Sequence, residues 1–247
     1  MPGRAGPPRA ALGPGLGLGL VLLLAGCAHS TSFEPNDPLE PVNRAIFRFN
    51  DAADRYVLRP VAKGYDTVTP EIVQAGIRNF FDNLFSPATM VNQYAQGKFA
   101  AGTRTFGRLV VNSTLGLGGL VDVAEHWNLP QEDEDFGQTL GSWGVGEGWY
   151  LMLPLLGPTT NRDLVGRMVD APLSPLYYSE DTETVWALTG LNVIQGRADL
   201  IGADALLDEQ GDRYAFIRGA YLQRRQSAVR DGAPAAEDDL DALLDDL

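Results

Sequence analysis

The sequence predicts an all-α domain, and three observations carry that expectation. Helix-start signals recur at Asp37-Pro38-Leu39-Glu40, Thr69-Pro70-Glu71 and Ser86-Pro87. Apolar residues between and after them repeat at helical spacing. Few stretches alternate with period two, and neither a linker nor a fixed repeat divides residues 37–230. Hydrophobic residues make up 45% of the chain, too many for a disordered body.

Asp37 is placed to cap the first helix, Pro38 suits its first position, and Glu40 stands three residues after the cap as in a capping box. Val42, Ile46, Phe49 and Ala53 share one face, and Arg59-Pro60 marks the expected end. Thr69-Pro70-Glu71 opens a helix carrying Ile72, Ile77, Phe80, Phe81 and Leu84; Ser86-Pro87 opens another through Met90, Val91 and Tyr94. Residues 97–111 read as a further helix in which Gly102 and Gly107 allow close packing. Residues 117–127 read as a short amphipathic helix, and 136–144 as a glycine-interrupted turn or short helix. The apolar run 149–156, broken by Pro154, is the one place for an extended segment. Residues 161–169 suit a modest helix and 182–207 a long one. Asp212 caps a last body helix carrying Tyr214, Ile217, Tyr221 and Leu222. No helix is long and apolar enough to span a bilayer. Amphipathic helices of this kind pack into a soluble core or lie in a membrane interface, and the pattern alone leans toward the core.

The N-terminus has the order of an export signal. Arg4 and Arg9 precede an apolar stretch from Ala11 to Ala25, interrupted by Pro14 and glycines. It is shorter than the roughly 20 residues of a spanning helix. Leu24-Ala25-Gly26-Cys27 resembles the lipobox of bacterial lipoproteins and holds the single cysteine of the chain. Residues 1–26 are therefore expected to be removed and Cys27 to carry a diacylglycerol, a covalent lipid that is the one non-protein group implied. Residues 27–36 form a tether. A lone thiol makes no internal disulfide, and two or more acyl chains anchor stably where one holds weakly. In such lipoproteins Ala28, where an aspartate would mark inner-membrane retention, favours the outer membrane.

The formal charge of −13 excludes nucleic acid and a polybasic grip on anionic headgroups. No catalytic residue stands out: there is no G-x-S-x-G elbow, no H-E-x-x-H and no cysteine nucleophile. His126 reads as a surface or capping residue, and Asp135-Phe136-Gly137 lacks every partner of a kinase. Glu132-Asp133-Glu134-Asp135 lacks the spacing of a calcium loop, so no metal site is expected and a solvated acidic turn is. In the acidic tail, residues 231–247, Leu240, Leu243, Leu244 and Leu247 recur at helical spacing. That stripe suits docking into a partner's groove, and a solubilising tail is the equal alternative.

Several blocks in order resemble the VacJ/MlaA family of outer-membrane phospholipid-transport lipoproteins. They are Asp37-Pro38-Leu39-Glu40, Val42-Asn43-Arg44, Ile46-Phe47 and Phe49-Asn50; then Asn92, Gln96-Gly97, Arg108, Asn112-Ser113-Thr114, Gly116, Gly118-Gly119 and Val121-Asp122-Val123-Ala124. Glu134 through Gly141, Trp143-Gly144-Val145-Gly146, Gly148, Tyr150, Pro154, Gly157-Pro158 and Arg162-Asp163 follow. Pro41, Val42 and Trp149 depart from the usual residues. The resemblance implies a flat ring of amphipathic helices around a polar channel, embedded in the outer membrane beside a trimeric porin. It implies removal of mislocalised phospholipid from the outer leaflet and delivery to a soluble periplasmic carrier. Phe49 and Asn50 are expected to hold the channel closed. Gly141, Gly144 and Gly146 either let a gating loop move or serve tight packing, and Trp127, Trp143 and Trp149 sit at the interface or in the core.

Overall fold

The computed structural model describes residues 37–233. The signal, Cys27, the tether and the leucine stripe Leu240, Leu243, Leu244 and Leu247 lie outside them. Helix α1 (Glu40–Ala53) starts where expected, but no side chain caps it. Asp37 instead turns into the interior, where its carboxylate accepts from Asn43 Nδ2 at 2.7 Å, from the Tyr214 hydroxyl and from Arg218 Nη1 at 3.0 Å. Glu40 pairs forward with Arg44 at 2.6 Å, so there is no capping box. Tertiary partners take Asp37, and a neighbour one turn on in its own helix takes Glu40.

Arg59-Pro60 does not end the helix. Residues Asp54–Leu58 form a π turn, with the Arg59 amide donating to the Asp54 carbonyl, and α2 continues over Arg59–Val68. The wider register relieves the clash that the Pro60 ring would make with the carbonyl four residues back. Ser86-Pro87 likewise starts nothing, because α3 runs unbroken over Glu71–Ala95 with Pro87 inside. Pro87 removes the amide that would serve the Asn83 carbonyl. Ser86 Oγ bonds back to the Asp82 carbonyl at 2.8 Å beside that gap, a contact that accompanies helix bending. Packing of α3 along α4 (Phe99–Thr114) and against α7 (Thr182–Asp199) holds the long helix together. Gly102 permits the α3–α4 approach, since a Cβ there would lie 2.7 Å from the Tyr94 ring.

Residues 117–127 are not a helix beyond a short 3₁₀ turn at Glu125–Trp127. Leu117, Gly118 and Gly119 all have positive φ, which an α-helix cannot contain. Helix α5 (Phe136–Ser142) is capped by Asp135, which accepts from the Gln138 amide at 2.8 Å. The expected extended segment is β1 (Tyr150–Leu153), and it pairs with β2 (Gly157–Thr160), a strand too short and polar to announce itself. The hairpin is antiparallel, with Tyr150 opposite Thr160 and Leu153 opposite Gly157. Thr160 then caps α6 (Asn161–Asp170). The long helix expected over 182–207 breaks after Asp199 at a 3₁₀ turn, Ile201–Ala203, before α8 (Asp204–Asp208). Gly202 weakens the helix there, and the break turns Asp204 back onto Arg197 and Arg59. Asp212 caps α9 (Arg213–Val229) through the Ala215 amide, as read from sequence.

The polarity of the molecule is inverted. Among the described residues the buried set is mainly polar, including Asn43, Asn92, Gln93, Arg108, Asp163, Gln195 and Arg225. The apolar core is a small aromatic cluster of Tyr150, Met152, Tyr214 and Tyr221. Large apolar side chains cover the outside instead: Ile72 is 82% exposed, Tyr56 78% and Trp186 72%. The helices therefore turn their apolar faces outward, against the lean of the periodicity. Trp127, Trp143 and Trp149 are exposed and not core residues.

Helices α5 and α6 cross so closely that a Cβ on Gly166 would lie 2.4 Å from the Gly137 backbone nitrogen. Gly166→Ala is expected to cost at least about 1–3 kcal/mol, because backbone cannot yield as a side chain does. Gly190, with nothing within 4 Å of its Cβ position, is the control: Gly190→Ala should be neutral or stabilising by up to about 1 kcal/mol. Denaturant unfolding in detergent micelles measures both.

Candidate functional site

The site begins with two asparagines seven residues apart on α1, hence on one face of the helix. Asn43 donates to the Tyr150 carbonyl at 3.0 Å and accepts from the Met152 amide at 2.9 Å. Asn50 donates to the Leu153 carbonyl and accepts from the Leu155 amide, each at 2.8 Å. Each carboxamide acts as a strand residue would, so α1 takes the place of a third strand along the hairpin. Asn50 thus fixes the hairpin tip. Phe49 is 55% exposed and takes no part in the clamp. Phe47 points inward, with its ring edge-on to Tyr214 at 5.7 Å. Beside it Arg44 lies 4.4 Å over the same ring and bonds Asp212, whose carboxyl it holds down at about 2.

The three glycines do different work. Gly141 lies inside α5, where a Cβ would meet Val229 at 2.7 Å, so it serves packing on α9. Gly144, at φ +87°, ends α5 in the left-handed conformation, with the Val145 amide reaching the Leu140 carbonyl at 2.9 Å. Gly146 has open space around it. The loop from Gly144 to Gly148, also left-handed at φ +71°, feeds directly into β1.

An ion cluster ties α5, α6 and α9 together. Arg225 bonds Asp135 at 2.6 and 2.8 Å and Asp163 at 2.8 and 2.9 Å, and Tyr221 donates to Asp163 at 2.7 Å. Burial is the largest influence and pushes both carboxyls up, but the hydrogen bonds and charge of Arg225, together with the Gln138 bonds on Asp135 and Tyr221 and Arg162 on Asp163, outweigh it and hold both below the usual carboxylate range. The Asp135 of the kinase-like triplet is therefore a cap and an ion partner. Its neighbours are paired too, Glu132 with Arg104 and Glu134 with Lys98, so the acidic turn is neutralised from several helices and not merely solvated.

Two polar cavities meet at Glu132 and Asp133. One, between α3 and α4, is a void of only about 20 Å³, room for a single water, lined by Asn79, Asp82, Asn83, Ser86 and Arg108. The other, about 1150 Å³, opens beside α9 and is lined by Lys98, Gln138, Gln223, Arg224 and Ser227. Burial raises the Asp82 carboxyl above its ordinary value. Among the described residues no three His, Cys, Asp or Glu side chains gather into a metal site, and no helix is long and apolar enough to cross a membrane. His126 Nδ1 lies 3.1 Å from the Asp122 carbonyl. Asn112, which spells a glycosylation sequon, is buried and holds Asp122 and the Ala124 amide.

A family model described as MlaA lipoprotein matches residues 35–228. The chain belongs to the MlaA lipoprotein family. The intermembrane phospholipid transport system lipoprotein MlaA of Escherichia coli K12 is 39% identical over 242 residues, covering 94% of this chain and 95% of that one. Its counterpart in Haemophilus influenzae is 35% identical, covering 86% and 88%. A chain solved in work on the structural basis for maintenance of bacterial outer membrane lipid asymmetry shares 40% identity, with a TM-score of 0.70 over 78% of this chain and 98% of the other.

Within this MlaA fold the motif residues Asn43, Arg44 and Asn50 turn out to be structural clamps. Sequence reasoning missed the inward role of Phe47 and the pairing of Asp163 with Arg225, although Phe47 and Asp163 stand inside the quoted blocks. Removing Arg225 would take the shared cation from both carboxylates and leave Asp163 with Tyr221 and Arg162 and Asp135 with the Gln138 amide, so Arg225→Met should cost about 1–3 kcal/mol near neutral pH. The pH dependence should reverse as well. The paired acids have folded pKa values below the unfolded ones, so their contribution is present above about pH 4 and lost as pH falls further. In Arg225→Met the buried Asp163 loses its main cation and favours protonation more than in the wild type, and acidification should narrow the deficit. Thermal melts across pH 3–7 check both.

Proposed function

We propose that the protein is a non-enzymatic lipid-transfer component of the outer membrane, which takes mislocalised phospholipid from the outer leaflet and passes it to a soluble periplasmic carrier. The inverted polarity is the observation that carries the reading. An apolar exterior without a spanning helix suits a body lying among acyl chains, and a paired polar interior with cavities suits passage of a headgroup through a ring of helices. A scaffolding lipoprotein that only holds a porin or the cell wall needs no such interior. The relatives named for intermembrane phospholipid transport support the same reading.

In this scheme the lipid on Cys27 leashes the chain to the periplasmic leaflet, and the exposed aromatic residues seat the body in the membrane next to a trimeric porin. Headgroups travel along the polar wall of the larger cavity, past Glu132 and Asp133. Asn50 sets the position of the hairpin, and the Gly144–Gly148 loop allows β1 to shift as lipid passes.

Deleting the gene should raise surface-exposed phospholipid, and the wild-type chain should restore asymmetry. Cys27→Ala should fail to restore it fully. An unchanged surface after deletion would sink the transport reading. Asn50→Leu, which removes both hairpin bonds, should lower stability by about 1–3 kcal/mol and disturb asymmetry while the protein still reaches the membrane; fractionation with the surface-phospholipid assay separates the two effects.

A further inference from the structure

The cavity of about 1150 Å³ beside α9 has a wall whose charges do not all cancel in place. One side is a single face of α9, where Ala220, Gln223, Arg224, Ser227 and Ala228 recur at helical spacing. The small residues among them keep the space open, and Tyr221 and Arg225 are buried on the helix's other side. Facing them is the acidic turn, Glu132, Asp133 and Glu134.

Most ions in this wall are closed within the protein. Lys98 bonds Glu134 at 2.7 Å and also meets Asp231. Glu132 meets Arg104 at 2.5 Å, and Arg230 is engaged as well. Two opposite charges are left over. Arg224 is exposed and, among the described residues, has no hydrogen-bond or ion-pair partner. Asp133 is exposed too; its carboxylate accepts from Gln131 Nε2 at 3.2 Å and has no cation partner among the described residues. One cavity thus presents an unmet cation on its helical side and an unmet anion on its acidic side.

We propose that this cavity selects zwitterionic phospholipids with a primary ammonium headgroup, the phosphatidylethanolamine type, with Arg224 taking the phosphate and Asp133 the ammonium. The planar guanidinium donates to two phosphate oxygens at once, and the carboxylate accepts N–H bonds from the ammonium. An anionic headgroup such as that of phosphatidylglycerol brings a phosphate for Arg224 and nothing for Asp133, whose carboxylate repels it. Selectivity therefore comes from the acid as much as from the base. The proposal rests on the lipid-transfer reading and names the headgroup class that the same site prefers.

Native mass spectrometry tests it. Full-length lipidated protein in nonionic detergent micelles is equilibrated with equimolar phosphatidylethanolamine and phosphatidylglycerol of matched acyl chains, and the lipids retained on the intact protein are counted by mass. Phosphatidylethanolamine should exceed phosphatidylglycerol by about fivefold, the reach of one partly exposed ion pair. Asp133→Lys makes both free charges positive and should invert the ratio. Arg224→Gln should lower occupancy by both lipids. Glu180→Lys, the same change of charge at an exposed position outside the cavity, should leave the ratio as in the wild type. Equal binding by the wild type, a ratio indifferent to Asp133→Lys, occupancy indifferent to Arg224→Gln, or an inversion by Glu180→Lys would each overturn the proposal. Circular dichroism checks folding, and Asp133→Asn, expected to bring the ratio toward one, replaces Asp133→Lys if the latter does not fold. The bound ratio reads selectivity and the gene deletion reads transport, so either reading falls without the other.

Discussion

A charged interior persists only while each charge keeps a partner, since an isolated buried ion costs far more than any single contact returns. Arg225 shows how far this constraint reaches. It meets the carboxylate that caps α5 and another in the first turn of α6, and its own place on α9 thereby fixes three helices. The constraint extends to Gly137, where a Cβ would lie 2.5 Å from Asp163 and 2.8 Å from Arg225. The same design recurs at Arg197, which gathers Asp54 and Asp204, and at Arg108, which gathers Asp122 and the Leu129 carbonyl. Each cluster joins segments distant in sequence, so the fold is stapled by ions where a soluble domain would be glued by a core.

The asparagine clamp is the second constraint, and it decides how the hairpin is held. A two-stranded ribbon alone is marginal in water. Here α1 supplies the missing third edge with side-chain amides, at the spacing that two helical turns allow. A helix that mimics a strand this way presents only discrete contacts, one per two turns. The hairpin tip is therefore tied at Asn50 alone on that side, and in the approach to β1 the Cβ positions of Gly144 and Gly146 face open space, while that of Gly148 lies 3.1 Å from the Asn161 side chain. Rigidity and latitude meet within a few residues.

Much of the fold was legible because helix starts are local chemistry. Asp212 and the region of Asp37 announced α9 and α1, and the apolar run at 150 announced β1. What failed was what tertiary partners override. Pro60 and Pro87 looked like boundaries, yet packing against α7 and α4 carries the chain through both. β2 was invisible because its pairing, not its composition, makes it a strand. The deepest miss has a simple cause: a 3.6-residue stripe marks which face is apolar but is the same whether that face looks inward to a core or outward to lipid. The site was legible only in part. Asn50 stood out in a motif, but its partners lie 103 and 105 residues away, beyond the reach of any local pattern.

The outward apolar surface has a consequence for how the protein responds to heat. The heat capacity of unfolding comes largely from apolar groups newly exposed to water. This chain already keeps many of its large apolar side chains on the outside of the fold, so unfolding brings fewer of them newly into water than in a domain with an apolar core. Opening the fold in place would expose mainly paired polar groups, whose hydration lowers the heat capacity. The stability curve should then be flatter than that of a domain of the same length built on an apolar core.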